Sequence, residues 1–210
     1  MTQDVVQPID EQRKGQRHLE RLVMLSDGIF AIAITLSAIE IKPELDGGVS
    51  LWQAWWPSLL IYFFSFFLIG LVWMEHRRIV SLLRDIDGPG TVINMLLLSM
   101  VALMPVVVRF VLTHHTSEGS FLVYGLAFVS TYGCMALLWG YAAFVAKLAP
   151  DVPRATALAL LCKLGFTAML FAALTMYAAG MMIGAVICAL MALPLRWVAW
   201  KQGRTPAMAT

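Results

Sequence analysis

The sequence predicts an all-α integral membrane protein, a bundle of six spanning helices with both termini in the cytoplasm. Three observations carry that expectation. First, 60% of the 210 residues are hydrophobic and 13% are charged, with a mean hydropathy of +0.78. A soluble domain of this size would leave most of that apolar surface exposed to water. Second, the apolar residues gather into six stretches close to the ~20 residues that cross a bilayer core, at roughly 22–41, 52–76, 91–112, 121–147, 154–178 and 180–200. The alternating ten-residue strands of a membrane β-barrel are absent. Third, the basic residues divide unequally between the two sides. Arg13, Lys14, Arg17, Arg21, Arg77, Arg78, Arg84, Lys147, Arg154, Arg196, Lys201 and Arg204 fall on one side, and Lys42 and Arg109 on the other. Cytoplasmic segments carry such an excess, so the expected division is a cytoplasmic segment 1–20, a six-helix domain 21–201 and a cytoplasmic tail 202–210.

The first span opens with Arg21, Ser26 and Asp27 and then carries no charge until Glu40. It has no small-residue cleavage site and is long for a signal peptide, so it is expected to stay in the mature protein. A carboxylate at such a depth faces a protein interior or water rather than lipid. Arg21 and Asp27 are about 9 Å apart along a helix and about 120° apart around it, which argues against a pair within that helix and for a partner on a neighbouring helix or subunit. The second span begins at Trp52, Trp55 and Trp56, an outer aromatic belt, and returns inward to Trp73, Glu75 and His76. Trp73, Trp197 and Trp200 mark the inner belt. The third span starts outward again with Asn94.

Arg21, Ser26, Asp27, Trp73, His76 and Asn94 therefore share the inner leaflet, where each offers a donor or acceptor that another lacks. Two readings follow. One is a polar cluster that locks three helices together. The other is a titratable site in which Asp27 and His76 gate or relay protons.

Leu25, Ile29, Ile32, Leu36 and Ile39 lie on one face of the first helix at 100° per residue, with Thr35 at its edge and Asp27 turned away. This face is either core packing or the lining of a narrow apolar constriction, of the kind that gates by dewetting. Glu40, Glu44 and Asp46 around Lys42 form either a solvated loop or an acidic vestibule that concentrates cations.

The remaining spans say less. Lys163, inside the fifth, is expected to snorkel to the cytoplasm, with an acid in the bundle as the alternative partner. His114 and His115 with Glu118 read as a solvated outer loop ahead of a divalent-metal site. Gly180 and Gly184 suggest close packing of the sixth helix. Cys134, Cys162 and Cys188 stand singly within spans, so no disulfide or zinc site is expected. A net charge of +2 gives no reason to expect a nucleic-acid partner. No metalloprotease, nucleophile-elbow or phosphate-loop motif is present, so no enzyme activity and no cofactor are expected.

The segment Arg21-Leu-Val-Met-Leu-Ser26-Asp27, followed by Gly-Ile-Phe-Ala-Ile-Ala-Ile-Thr-Leu, resembles the first helix of the transmembrane protein 175 family of atypical potassium channels, found in bacteria and lysosomes. Trp73-x-x-His76, Asn94 with its leucine run, and Pro105 extend the resemblance over about residues 19–108. It implies a homotetramer of six-helix subunits in a bacterial inner (plasma) membrane, with the first helix lining a potassium-selective, leak-like pore. It also implies potassium ions and the lipid bilayer as the partners. Pore layers carried over by position are Ile32, then Thr35 or Leu36, then Ile39. Arg21, Ser26 and Asp27 would brace the helix against Trp73 and His76. Lysosomal members carry two six-helix repeats and this chain carries one, hence four copies. Leu25 stands where a phenylalanine is usual, and Val106 where an aromatic is common. The rival expectation is a proton-permeable or proton-coupled transporter using Asp27 and His76.

Overall fold

The computed structural model describes residues 6–39, 41, 50–114 and 118–203. Six helical stretches among them are long and apolar enough to cross a membrane: Gly15–Ile39, Leu51–Ser81, Gly88–Thr113, Gly119–Val145, Arg154–Ala178 and Met182–Gln202. The chain is a multi-pass, all-helical membrane protein. Glu40, Lys42, Glu44, Asp46 and His115 lie outside the described residues, and with them the vestibule and the histidine pair. His114 stacks on Phe110 at 4.7 Å between ring centroids.

The first helix, α1 (Val6–Ile39), is a single run of 34 residues, about 51 Å long at 1.5 Å per residue. Residues 6–20 of the expected N-terminal segment are its opening turns. Leu19, Leu22, Ser26, Phe30, Ala33 and Ser37 are buried, and their spacing of three or four makes one continuous inward face. The second helix, α2 (Leu51–Ser81), starts at a capping box: the Gln53 amide donates to the Ser50 hydroxyl, and the Gln53 side chain accepts from the Ser50 backbone. Two otherwise unpaired donors are thereby satisfied.

The third span is not one helix. It divides into α3 (Gly88–Ala102) and α4 (Met104–Thr113) at Leu103. Pro105 supplies no N–H for the carbonyl four residues before it. The ladder therefore stops with the Leu103 amide on Ser99 O at 3.2 Å and resumes with Val107 on Leu103 O at 3.1 Å.

The fourth span, α5 (Glu118–Gly140), ends in a π-turn over Tyr141–Val145. Ala146 N donates to Tyr141 O at 2.9 Å, and Lys147 then takes a left-handed conformation with φ of 54°. The last two spans are α6 (Arg154–Ala178) and α7 (Met182–Gly203). They are joined by a Schellman turn, in which Met181 N donates to Met176 O and Gly180 N to Tyr177 O. Gly180 has φ of +72°, so it terminates α6 and does not pack the sixth span. Of the expected glycine pair, Gly184 alone lies on α7, against Met176.

Helix α5 is central, packing on α3, α4 and α6, while α1 packs on α2, α3 and α4, and α7 lies on α6. Met135, Leu138 and Trp139 of α5 are wholly buried, and the Trp139 indole donates to Ala157 O of α6 at 2.9 Å. The loops between α2 and α3 and before α6 are latched together. Arg84 donates to both carboxylate oxygens of Asp151 at 2.6 and 2.5 Å, and its amide donates to Leu148 O at 3.0 Å. This pairing holds the Arg84 guanidinium above its ordinary pKa.

Candidate functional site

Three helices meet at a buried polar chain whose hydrogen bonds run in one direction. His76 Nε2 of α2 and Asn94 Oδ1 of α3 are 2.8 Å apart. Because a carboxamide oxygen accepts, the imidazole carries its proton on Nε2 here, a tautomer assigned from the bonding pattern. Asn94 Nδ2 donates onward to Ser26 Oγ of α1 at 3.3 Å, and the Ser26 hydroxyl donates to Leu22 O at 2.7 Å. Ser26, His76 and Asn94 are each no more than 1% exposed. In an apolar surrounding a broken link would leave a bare polar group, so the chain fixes the relative rotation of α1, α2 and α3. His76 Nδ1 ends it, buried and without a partner among the described residues, and Phe30 packs against the imidazole at 5.5 Å between centroids.

Asp27 belongs to a second contact on the same two helices. The Trp73 indole donates to Asp27 Oδ1 at 2.8 Å. Arg77, one turn beyond Trp73 on α2, lies over the indole ring at 5.5 Å and places Nη1 at 3.6 Å from Asp27 Oδ2. Asp27 thus finds its donors on the neighbouring helix. The Arg77–Asp27 pair is half-exposed, with side-chain exposures of 52% and 35%. A pair so placed contributes little by charge alone, and the indole bond is the directional part.

Of the six polar residues grouped from the sequence, five are brought together: Ser26, His76 and Asn94 in one chain, Asp27 and Trp73 in the other. Arg21 stands apart. It is exposed, and at 100° per residue it lies in line with Leu25 and Ile32 rather than with the buried face. Arg77 is the cation beside Asp27. Its signal was legible as an i, i+4 partner of Trp73.

Residue 75 points the other way. Glu75 Oε1 accepts from Lys163 Nζ of α6, so Lys163 finds the alternative partner, an acid on a neighbouring span, while its side chain stays half-exposed. The pair bridges α2 and α6, and each ion offsets the charge of the other.

The apolar stripe of α1 is open in the single chain. Ile32, Leu36 and Ile39 are 56%, 44% and 68% exposed, and Thr35 is exposed beside them. Thr35 Oγ1 donates back to Ala31 O at 2.9 Å or to Ile32 O at 3.1 Å. The one hydroxyl proton is used within the helix, which leaves oxygen lone pairs on the open side. This row lies about a third of a turn from the buried face. Among the described residues no group of three His, Cys, Asp or Glu is arranged to hold a metal ion.

Residues 21–105 match a family model described as the endosomal/lysosomal potassium channel TMEM175. A protein named potassium channel from Streptomyces collinus is 35% identical over 127 residues, covering 57% of this chain and 62% of the relative. Another of that name, from Chamaesiphon minutus, is 34% identical over 142 residues, covering 63% of this chain and 70% of the relative. The endosomal/lysosomal proton channel TMEM175 of Danio rerio is 29% identical over 113 residues, 48% of this chain and 21% of the relative. The chain thus spans less than two thirds of the Streptomyces relative. No solved structure matches it.

Proposed function

The chain belongs to the TMEM175 family, and from that premise we propose that it is a potassium-selective, leak-like cation channel. Four subunits surround an axis lined by α1, with both termini cytoplasmic and the assembly in a bacterial inner (plasma) membrane. The observation that carries this reading is the open stripe of α1: branched apolar side chains at Ile32, Leu36 and Ile39, with the acceptor oxygen of Thr35 among them. The polar chain at Ser26, Asn94 and His76 holds the helix so that this row, and not another, faces away from the subunit's own core.

The physical basis of selectivity is partial dehydration. An apolar ring offers an ion no ligands, so passage requires shedding part of the hydration shell. Potassium holds that shell less tightly than sodium, so the ring favours potassium moderately. A cage of backbone carbonyls would discriminate more sharply. Ile32 and Ile39 act as constrictions, and Thr35 or Leu36 as the layer between them.

The test is ion flux into liposomes holding the purified protein, under potassium or sodium gradients, beside Ile32→Asn and a cross-linking assay for four subunits. Potassium flux above sodium flux, with the preference reduced by Ile32→Asn in an intact tetramer, is expected. A persistent monomer, or equal flux unaffected by Ile32→Asn, would sink the pore assignment.

A second reading rests on one observation: the unpaired buried Nδ1 of His76 lies on the helix that also binds Asp27. A proton path through this region predicts dye-reported acidification that Asp27→Asn abolishes while potassium flux persists.

A further inference from the structure

We propose that the cleft between α6 and α7, at the end of the bundle where the chain finishes, binds the phosphate headgroup of an anionic phospholipid. The cleft encloses about 690 Å³ and is lined by Lys163, Phe166, Leu193, Arg196, Trp197 and Trp200, with Ala199. Among the described residues, two cations and no carboxylate line it. Arg196 lies across the Phe166 ring at 5.3 Å, and Phe166 is one helical turn from Lys163, so both charges address one small volume. Among the described residues no acid pairs with Arg196, and its guanidinium keeps the forked donor edge that matches a phosphate. Lys201 stands over the Trp197 ring at 4.9 Å and adds a third positive charge beside the mouth.

The surroundings favour a lipid over a dissolved anion. Leu193, Trp197 and Trp200 are exposed, and Leu190 continues the apolar surface along α7 toward the middle of the span. Indole rings of this kind settle at the membrane interface, and basic pockets between spanning helices take anionic headgroups there. The acyl chains would lie on the exposed α7 surface, which no other described part of the subunit covers. Lys163 serves two acceptors, the cleft on one side and Glu75 of α2 on the other. Headgroup and Glu75 therefore compete for one ammonium, and through it the cleft is tied to the helix that carries Trp73 and His76.

The test is native mass spectrometry of the purified protein titrated with phosphatidylglycerol or phosphatidylcholine. Phosphatidylglycerol is expected to be retained about thirtyfold more, on the basis of roughly 1 kcal/mol for each of Lys163 and Arg196 near an anionic surface. Arg196→Gln should lower that retention about fivefold and leave phosphatidylcholine unchanged, while Arg196→Lys keeps most of it. Glu75→Gln, which releases Lys163, should raise it. Equal retention of the two lipids, or wild-type behaviour of Arg196→Gln, overturns the proposal. An unchanged Glu75→Gln removes Lys163 from the site and overturns the shared-ammonium arrangement. Displacement of the lipid by millimolar inorganic phosphate overturns the assignment to a lipid in favour of a free anion.

Discussion

The helices α1–α4 and the helices α5–α7 each supply three apolar spans, yet different forces hold them. In the first group the decisive contacts are directional: His76 to Asn94 to Ser26, and Trp73 to Asp27. In the second they are contacts of area. Phe128 stacks on Phe171 at 5.0 Å, Gly125 lets the backbone of α5 approach Thr175 of α6, and Trp139 fills the centre. Hydrogen bonds in a membrane interior set register and rotation, because few alternative geometries satisfy them. Apolar packing sets distance and tolerates exchange of side chains of similar volume. The family match covers residues 21–105, which is the directional half.

The comparison is most severely tested at Trp139. Trp139→Ala is expected to destabilise the protein by about 3–5 kcal/mol, because it opens a cavity at the centre of the area-packed half, measured by unfolding in detergent. Any surviving folded protein should keep its ion preference. Next comes Asn94→Leu, which strips the bonds of His76 and Ser26 while keeping the branching of the side chain and should lower stability by about 2 kcal/mol. Ion flux, unlike in the Trp139 variant, should change as well, since the rotation of α1 is no longer fixed. Trp73→Phe removes one donor from a half-exposed carboxylate and should lower stability by about 1 kcal/mol, with Asp27→Asn giving no further loss in the double variant. Smallest is Ile32→Asn, an exposed position, expected to change stability by less than ~0.5 kcal/mol while reducing the potassium preference. A loss of folding there would show that the stripe is packed core rather than an open wall.

The two halves also differed in how much their residues disclosed beforehand. Six spans were legible from hydropathy alone, since length and apolar content are local properties. The polar residues of the first three spans were legible too, because a rare polar group in an apolar run must find others at its depth. Pairwise geometry was less accessible. Lys163 and Glu75 are far apart in sequence, and nothing local in either span announces the other. Arg77 sits within the basic run His76-Arg77-Arg78 and reads as one more cytoplasmic charge until the Trp73 face is drawn. Arg21 shares the depth of the cluster but faces the open side of α1 in the single chain, because depth is a property of the segment whereas azimuth depends on which helices stand beside it. The break at Leu103 was foreshadowed by Pro105, whereas the π-turn at Tyr141–Val145 has no sequence mark of comparable clarity.

The unbroken length of α1 has a mechanical consequence. A rod without a joint from Val6 to Ile39 delivers torque from its aqueous end to its membrane end, as a valve stem does. Neighbouring residues on such a rod are about 100° apart. One step of rotation therefore withdraws Leu25, Ile32 and Leu36 from a given direction and presents Met24, Ala31 and Thr35 in their place. Two of the three replacements are smaller, so in the pore proposed above such a twist would widen the passage, at the expense of the bonds that Ser26 and Asp27 make to Asn94 and Trp73.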